Sequence, residues 1–218
     1  ATLGGTIATN AGGLHVIRHG DTRRQLLGVG AVTGTGEIVG DLRGLVKDNT
    51  GYHLPSLLCG SEGTLAIVTR ARLALVPPAA DVAVALAGFD SVNTAVDAIA
   101  VLRRELSDLR GLELFFEPGL ALVCRELGLA RPLPESHPVY LLVETAGSPG
   151  ALDRLASGPL SGLVDPEAVA MADDSSRRRA LWRYREAHTE AIARLGVAHK
   201  LDVTLPLGSL ALFVDEVP

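Results

Sequence analysis

The sequence has 218 residues, a net charge of −5 at pH 7 and a pI near 5.7. This acidic balance argues against a general nucleic-acid-binding or anionic-membrane surface, and no apolar run approaches the ~18 residues of a membrane span. Hydrophobic residues make up 47% of the chain and charged residues 21%, which is typical of a soluble globular protein with a sizeable core. Length predicts one large or two small domains.

The cysteines and histidines indicate no metal or disulfide chemistry. Cys59 and Cys124 lie far apart among apolar neighbours, which predicts reduced core thiols. The six histidines never take the spacing of a zinc site. No pattern typical of a signal peptide stands at the N-terminus, so we expect the protein in the cytoplasm.

A glycine-rich stretch with small polar side chains opens the chain, over residues 4–13. Glycine lets a backbone approach another molecule closely, and exposed backbone N–H groups in such turns form anion sites. One interpretation is a loop wrapped on a phosphate-bearing cofactor. The other is an ordinary glycine-rich turn. The stretch matches neither the dinucleotide-binding motif nor the P-loop, so motif spacing does not choose between them.

The next part of the chain, to residue 76, is rich in short β-like segments separated by turn signals. A hairpin connection is predicted over residues 33–36 and a polar turn over 47–52. The strands are predicted over residues 26–32, 37–39 and 70–76. Pro77-Pro78 ends the last strand and the composition changes after it, so we place a domain boundary at about residue 79, giving domains 1–79 and 80–218.

The second domain alternates strands and helices. Strands are predicted over residues 82–88, 112–116, 139–145, 169–172 and 199–205, and helices over residues 92–106, 118–127, 149–157, 175–195 and 207–217. Ser91 is the predicted N-cap of the first of these helices. The pattern predicts an α+β fold built from two ferredoxin-like half units, with helices covering one face of a sheet.

The most informative helix is the one predicted over residues 175–195. At about 100° per residue, Arg185 and His188 share a face with apolar side chains, and Thr189 lies at its edge. The apolar members of that face are Leu181, Ile192 and Leu195. An arginine in an apolar stripe needs a partner, because an unpaired buried guanidinium is costly.

Two hypotheses account for Arg185. The first is a structural salt bridge, or an aliphatic stem on the core with its head in water. The second is a binding site for a carboxylate ligand, which arginine grips through two hydrogen bonds. Lys200, on the predicted strand 199–205, belongs either to a solvated strand face or to a face against the helix. In the latter case Arg185, Thr189 and Lys200 converge as an anion pocket.

General bases are scarce in the sequence. His188 is the one histidine on a promising helix face, and no nucleophile elbow or Ser-His-Asp order is present. Either the chemistry belongs to a cofactor, or the base lies outside these residues.

Three stretches taken in order carry a resemblance to a known family. GGTIATNAGG at 4–13, KDNTGY at 47–52 and GSEGTL at 60–65 resemble the FAD-linked oxidases of the vanillyl-alcohol-oxidase type. Within them the order is similar to the D-2-hydroxyacid dehydrogenase group, which includes D-lactate dehydrogenase and the flavoprotein component of glycolate oxidase. Residues 181–189 and 199–206 look most like the D-2-hydroxyglutarate dehydrogenase branch.

The resemblance implies FAD as cofactor and a role for each unit. Residues 1–79 would be the C-terminal part, or second lobe, of an FAD-binding domain, and residues 80–218 a ferredoxin-like substrate (cap) domain, incomplete at its C-terminus. The family's pattern implies these residues along FAD: Gly4, Gly5, Thr6, Ala8, Thr9, Asn10, Gly12 and Ile67.

The resemblance also implies the substrate and its ligands. Arg185, Thr189 and Lys200 match the spacing of the family's carboxylate ligands, so the resemblance favours the second hypothesis for Arg185. The implied reaction is oxidation of a D-2-hydroxy acid to the 2-oxo acid, with hydride passing to FAD and electrons to a further acceptor.

The resemblance leaves parts of the machinery outside this chain. The general base and any divalent-metal ligands are expected beyond it, so we expect no catalytic residue and no metal ligand within it. A homodimer is allowed by the resemblance. A truncated chain that binds partners and catalyses nothing, and a relative that oxidises glycolate or D-lactate, stay open as alternatives.

Overall fold

The computed structural model describes residues 1–45, 47–147 and 149–217. Contacts within the chain divide it into two units, Ala1–Pro78 and Ala79–Pro218. The division follows Pro77-Pro78, where the sequence changes composition. The roles that the sequence assigns to the two units stay predictions.

The first unit is built on a three-stranded antiparallel sheet of order β2-β1-β3. Its strands are β1 (Leu26–Thr33), β2 (Ile38–Asp41) and β3 (Ala66–Leu73), and its helices are α1 (Leu3–Thr9), α2 (Val16–His19), α3 (Thr22–Gln25) and α4 (Leu54–Leu58). The central strand is buried because Val29 and Ala31 pack with Leu58 and Ala66. The hairpin between β1 and β2 is confirmed.

The third strand starts earlier than predicted. It begins at Ala66 and ends at Leu73, whereas the sequence predicted residues 70–76. Its first residues pair with the end of β1, Ala66 opposite Thr33. The predicted strand therefore covers only the second half of β3 and missed its first four residues.

The glycine-rich opening is a helix, not a loop. Helix α1 runs from Leu3 to Thr9, although glycine disfavours helices by roughly 1 kcal/mol relative to alanine. Thr2 caps it, since its hydroxyl accepts the N–H of Gly5 at 3.1 Å. Ile7, which is 2% exposed, anchors the helix in a small core. Capping and packing therefore outweigh the glycine content.

The second unit contains a four-stranded antiparallel sheet of order β5-β6-β4-β7. The strands are β4 (Val82–Phe89), β5 (Leu109–Phe116), β6 (Val139–Ala146) and β7 (Val169–Ala172). The principal helices are α5 (Val92–Glu105), α6 (Glu117–Leu127), α7 (Ala151–Ser157), α8 (Ser175–Glu186), α9 (His188–Leu195) and α10 (Leu210–Glu216), with short 3-10 turns at Pro159–Gly162, Pro166–Ala168 and Leu207–Ser209. Along the chain the elements run β4-α5-β5-α6-β6-α7-β7. Apart from α6, which is inserted between β5 and β6, this is the ferredoxin-like order, so the α+β prediction is confirmed.

Helices cover both faces of this sheet, whereas the sequence predicted one covered face. Alternate residues of β4 point to opposite sides. Ala83, Ala85 and Ala87 pack against α5 and α7. Val84 and Leu86 pack against α6 and α8. Because β6 is buried at every position, the sheet needs cover on both sides.

The long helix predicted over residues 175–195 is two helices. Ala187, with φ −77° and ψ −3°, separates α8 from α9. The break lets Ala187 and Ala191 pack with Val123 of α6. As a result Leu195 does not continue the predicted apolar face and is 63% exposed. Asp174 is the N-cap of α8, since its Oδ1 accepts the N–H groups of Ser176 and Arg177, each at 3.0 Å.

The strand predicted over residues 199–205 is not formed. Residues 197–206 are neither helix nor strand, and their side chains are exposed. The alternation of apolar residues in this segment therefore does not reflect packing against the sheet. The predicted last helix is present as α10, after the 3-10 turn Leu207–Ser209.

A hydrogen-bond network around Tyr140 ties β6 to α6. The fully buried Tyr140 hydroxyl donates to Glu117 at 2.7 Å and accepts from the backbone N–H of His137 at 3.0 Å. Arg131 donates to both Glu117 oxygens, at 2.8 and 2.6 Å. Burial would raise the pKa of Glu117, but the hydrogen bonds from Arg131 and Tyr140 outweigh it and hold that pKa below its usual value.

We expect Tyr140→Phe to lower the free energy of unfolding by about 1–3 kcal/mol, since the Glu117 carboxylate, the His137 N–H and the Arg131 guanidinium each lose a hydrogen-bond partner. Chemical denaturation followed by fluorescence measures this, because Trp182 is the only tryptophan and lies in the same core. The control is Tyr184→Phe, whose half-buried hydroxyl donates only to the Ala130 carbonyl. An equal loss in both variants would contradict the role of the Tyr140 network.

Candidate functional site

Arg185 lies in the last turn of α8 and faces the edge strand β5. Its Nε donates to Glu113 Oε2 at 2.9 Å, and the two side chains are 38% and 23% exposed. Within the described residues the guanidinium forms no other hydrogen bond. One edge of the guanidinium is therefore engaged, while its paired Nη groups stay available to an oxygen-bearing ligand.

A pocket of about 570 Å³ lies beside this ion pair. Its lining is apolar apart from Arg185 and His188, and the other lining residues are Leu114, Phe115, Phe116, Pro118, Gly119, Val214 and Val217. Strand β5, helix α6 and the end of α10 supply these apolar side chains. An apolar pocket with few polar groups is the usual form of a small-molecule site, and a charge interacts more strongly there than in water.

His188 is fixed at the base of the pocket. Its Nδ1 donates to the Arg185 carbonyl at 2.9 Å, because a carbonyl can only accept. Its ring meets Phe115 edge-on with centroids 5.4 Å apart. The Nε2 atom is buried and has no hydrogen-bond partner among the residues that the structure describes. It abuts Gly119, where an added Cβ would come within 2.4 Å of it.

This packing sets the protonation state of His188. Burial lowers its pKa from the ordinary 6.5; the hydrogen bond to the Arg185 carbonyl opposes this shift, and the Arg185 charge adds to it, with a lower pKa as the result. The ring is thus held neutral, with one nitrogen bonded to the backbone and the other covered by a helix. His188, the one candidate general base in the sequence, is therefore engaged as a structural group that holds the backbone of Arg185.

The other two predicted substrate residues lie elsewhere. Thr189 is exposed in the first turn of α9, and Lys200 is exposed on the irregular segment 197–206. Of the three predicted residues, the pocket is lined by Arg185 alone. The convergence required Lys200 to lie on a strand against the helix, and that strand is not formed. The substrate roles of Thr189 and Lys200 stay predictions.

Glu113 is the residue that the sequence did not point to. It stands in the run Leu112-Glu113-Leu114-Phe115-Phe116, where one acidic residue interrupts an apolar strand. An acidic residue in an apolar strand is itself a sign of a charged partner, since an unpaired buried carboxylate is costly. That partner is Arg185.

In the first unit, the predicted cofactor residues gather on and around α1. Gly4, Gly5 and Thr9 are exposed, and an added Cβ at Gly4 would meet no atom within 4 Å. Ile67 of β3 is also exposed. Small exposed residues with open space above them fit close contact with a large planar cofactor.

Two of the stretches that suggested a cofactor site are joined directly. The N–H of Gly60 donates to the Ile7 carbonyl, and the N–H of Glu62 donates to the Ala8 carbonyl, each at 2.9 Å. Gly60 needs its φ of +82° there, and an added Cβ would meet both Arg23 and Asn10 at 3.1 Å. The turn over residues 60–65 therefore packs on the end of α1.

Asn10 holds this arrangement together. Its Nδ2 donates to Asp21 at 3.0 Å, while its Oδ1 accepts from the Arg23 N–H at 2.9 Å and from Cys59 Sγ at 3.5 Å. The bond from Asn10, followed by one from the backbone of Arg24, lowers the pKa of Asp21. Because both ends of the carboxamide are engaged within the protein, Asn10 positions α1 rather than offering free groups.

Two other predicted cofactor residues, Thr6 and Gly12, border a second cavity. Thr6 and Gly12 line a cavity of about 520 Å³ together with His15 and His19. The Thr6 hydroxyl is directed back to the Leu3 carbonyl at 2.9 Å. These positions present small residues and backbone rather than charge.

The described residues contain no group of His, Cys, Asp and Glu side chains able to hold a metal ion. Among the same residues, no helix has the length and apolar character needed to cross a bilayer. Cys59 and Cys124 are free thiols, and burial raises the pKa of each.

Comparison with known families matches both units. Residues 78–218 match the family "FAD linked oxidases, C-terminal domain", and residues 1–40 match the family "FAD binding domain". The first match covers more than half of the chain.

Two similar proteins carry the same name. The mitochondrial D-2-hydroxyglutarate dehydrogenase of Bos taurus is 38% identical over 99% of this chain and 40% of its own length. The D-2-hydroxyglutarate dehydrogenase of Xanthomonas citri pv. viticola is 36% identical over 99% of this chain and 46% of its own length. The chain thus spans less than half the length of these relatives.

A solved structure shares the fold. The structure of an alkyldihydroxyacetonephosphate synthase superposes with a TM-score of 0.58 at 21% identity, covering 88% of this chain and 37% of the synthase chain.

The neutral state of His188 predicts a pH dependence of stability. Since its folded-state pKa lies below the ordinary 6.5, the unfolded chain takes up a proton first as the pH falls. Its contribution to stability is fully present above pH 6.5 and declines below it. We expect His188→Gln to flatten the fall in unfolding free energy between about pH 7 and 5, measured by denaturation at each pH. His199→Gln, at an exposed position, should leave the decrease in unfolding free energy with falling pH unchanged. If the wild type and both variants show the same dependence of unfolding free energy on pH, His188 does not have this role.

Proposed function

Since this chain belongs to the FAD-linked oxidases, we propose that it takes part in oxidising a D-2-hydroxy acid, D-2-hydroxyglutarate or a close analogue, to the 2-oxo acid. The observation that carries the proposal is Arg185, which borders an apolar pocket with its Nη edge uncommitted. The names of the two relatives support the choice of acid.

Arg185 is the proposed ligand of a substrate carboxylate. A planar guanidinium can donate two parallel hydrogen bonds to a carboxylate, and the apolar surroundings strengthen the contact. Thr189 and Lys200 are proposed to complete the recognition of the acid, on the spacing they share with the family. Holding the acid in one orientation is the contribution of these side chains to rate.

FAD supplies the acceptor for the hydride that leaves C2 of the acid. The residues proposed to lie along it are Gly4, Gly5, Thr6, Ala8, Thr9, Asn10, Gly12 and Ile67. The exposed glycines of α1 support this assignment, and Asn10 would act by holding α1 in place. His188 is bonded and covered, so we do not assign it as the general base.

Several finer points are proposals of the same kind. The acid could be glycolate or D-lactate instead, which a substrate panel on the purified protein separates. An external electron acceptor, cytoplasmic localisation and a homodimer are also proposed. A protein without bound flavin would favour the alternative of a binding module.

We expect Arg185→Gln to lower kcat/KM for the D-2-hydroxy acid by roughly 10- to 100-fold, the loss of a charge-assisted contact worth about 1.5–3 kcal/mol. Steady-state kinetics of the complete flavin-loaded protein measure this. Arg183→Gln is the matched control, because Arg183 is exposed on the same helix and carries the same charge. Equal kinetics in the two variants would remove Arg185 from the substrate site.

The cofactor assignment is tested at Gly4. Gly4→Leu should leave the fold intact, since nothing lies within 4 Å of an added Cβ, yet it fills the space above α1. We expect the dissociation constant for FAD to rise by about tenfold or more, measured by flavin fluorescence on the complete apoprotein. Gly34→Leu, at an equally open position in the β1–β2 hairpin, is the control. Unchanged FAD binding by Gly4→Leu would exclude this surface from the cofactor site.

A further inference from the structure

We propose that Glu113 sets how strongly the pocket binds a substrate carboxylate, by orienting Arg185 and by offsetting part of its charge. The inference rests on the proposed carboxylate-binding role of Arg185. It makes Glu113 a positioning and specificity-determining residue of that site.

The orienting effect follows from guanidinium geometry. Five N–H groups lie in one plane, so a bond at Nε also fixes the direction of the two Nη groups. Glu113 Oε2 takes the Nε hydrogen at 2.9 Å. The backbone of Arg185 is held as well, because its carbonyl accepts a hydrogen bond from His188 Nδ1 at 2.9 Å. Arg185 is therefore constrained at both ends before any ligand arrives.

The charge effect follows from the composition of the pocket. Arg185 and Glu113 form an ion pair, and the other titratable side chain at the pocket, His188, is held neutral because burial lowers its pKa. A carboxylate that binds the Nη edge meets the positive charge of Arg185 and, farther away, the negative charge of Glu113. In apolar surroundings that repulsion is poorly screened.

The two effects oppose each other, which makes them separable. Removing the charge of Glu113 while keeping an oxygen acceptor should strengthen anion binding. Removing the acceptor too should let the Arg185 guanidinium adopt several orientations. The fraction of bound acid held in the reactive orientation then falls. An ion pair that only stabilises the fold would produce neither result, because both variants would then alter unfolding and leave binding alone.

The test compares Glu113→Gln and Glu113→Ala in the complete flavin-loaded protein. Calorimetric titration with 2-oxoglutarate, a dicarboxylate that cannot be oxidised at C2, reports binding without turnover. We expect Glu113→Gln to lower its dissociation constant on the order of tenfold, and KM for the hydroxy acid to fall with it. Glu113→Ala should show a lower kcat than Glu113→Gln, since Arg185 loses its orientation.

Two further variants make the outcome decisive. Glu105→Gln removes the same charge from an exposed ion pair with Arg104 and should leave 2-oxoglutarate binding unchanged. Arg185→Gln should weaken that binding. If Arg185→Gln weakens it and Glu113→Gln does not strengthen it, the inference about Glu113 is overturned while the proposed function stands. If Arg185→Gln has no effect on binding, both are overturned.

Discussion

The hydrogen bond between Trp182 and Glu144 is the interaction on which the candidate substrate site depends. The indole Nε1 of Trp182 donates to Glu144 Oε2 at 2.7 Å, in the buried space between α8 and β6. A buried carboxylate needs partners, and Arg110 adds an ion pair, with its Nε 3.2 Å from Glu144 Oε1. Because Trp182 and Arg185 are three residues apart on one helix, fixing the first also fixes which strand the second can reach.

The fully buried strand β6 makes that contact unavoidable. Its eight residues are all buried, so one face needs α5 and α7 and the other needs α6 and α8. Glu144 lies on the second face, and α8 must cover it. The same packing carries Arg185 to the edge strand β5, where Glu113 is within reach. The need to cover β6 with α8 therefore places the charged Arg185 side chain beside the apolar pocket.

Sequence patterns predicted the elements whose own residues determine them. Strand β7 and the N-cap at Ser91 follow from local periodicity and capping chemistry. Patterns failed where tertiary contacts decide. The glycine-rich α1 forms because Ile7 is buried and Asn10 is bonded on both sides, and neither contact is visible in its composition. Residues 199–205 have strand periodicity, yet they are irregular and exposed.

The candidate site shows the same division. The helical periodicity of residues 175–195 singled out Arg185, because an arginine on an apolar helix face needs a charged partner. The sequence left a structural salt bridge and a carboxylate-binding site as alternatives for Arg185. The guanidinium, however, has two edges that can bind different partners. Its Nε forms the ion pair with Glu113, its Nη groups form no hydrogen bond within the described residues, and the side chain lines an apolar pocket. The two hypotheses are therefore compatible, and the ion pair is what would hold the second edge ready for a ligand.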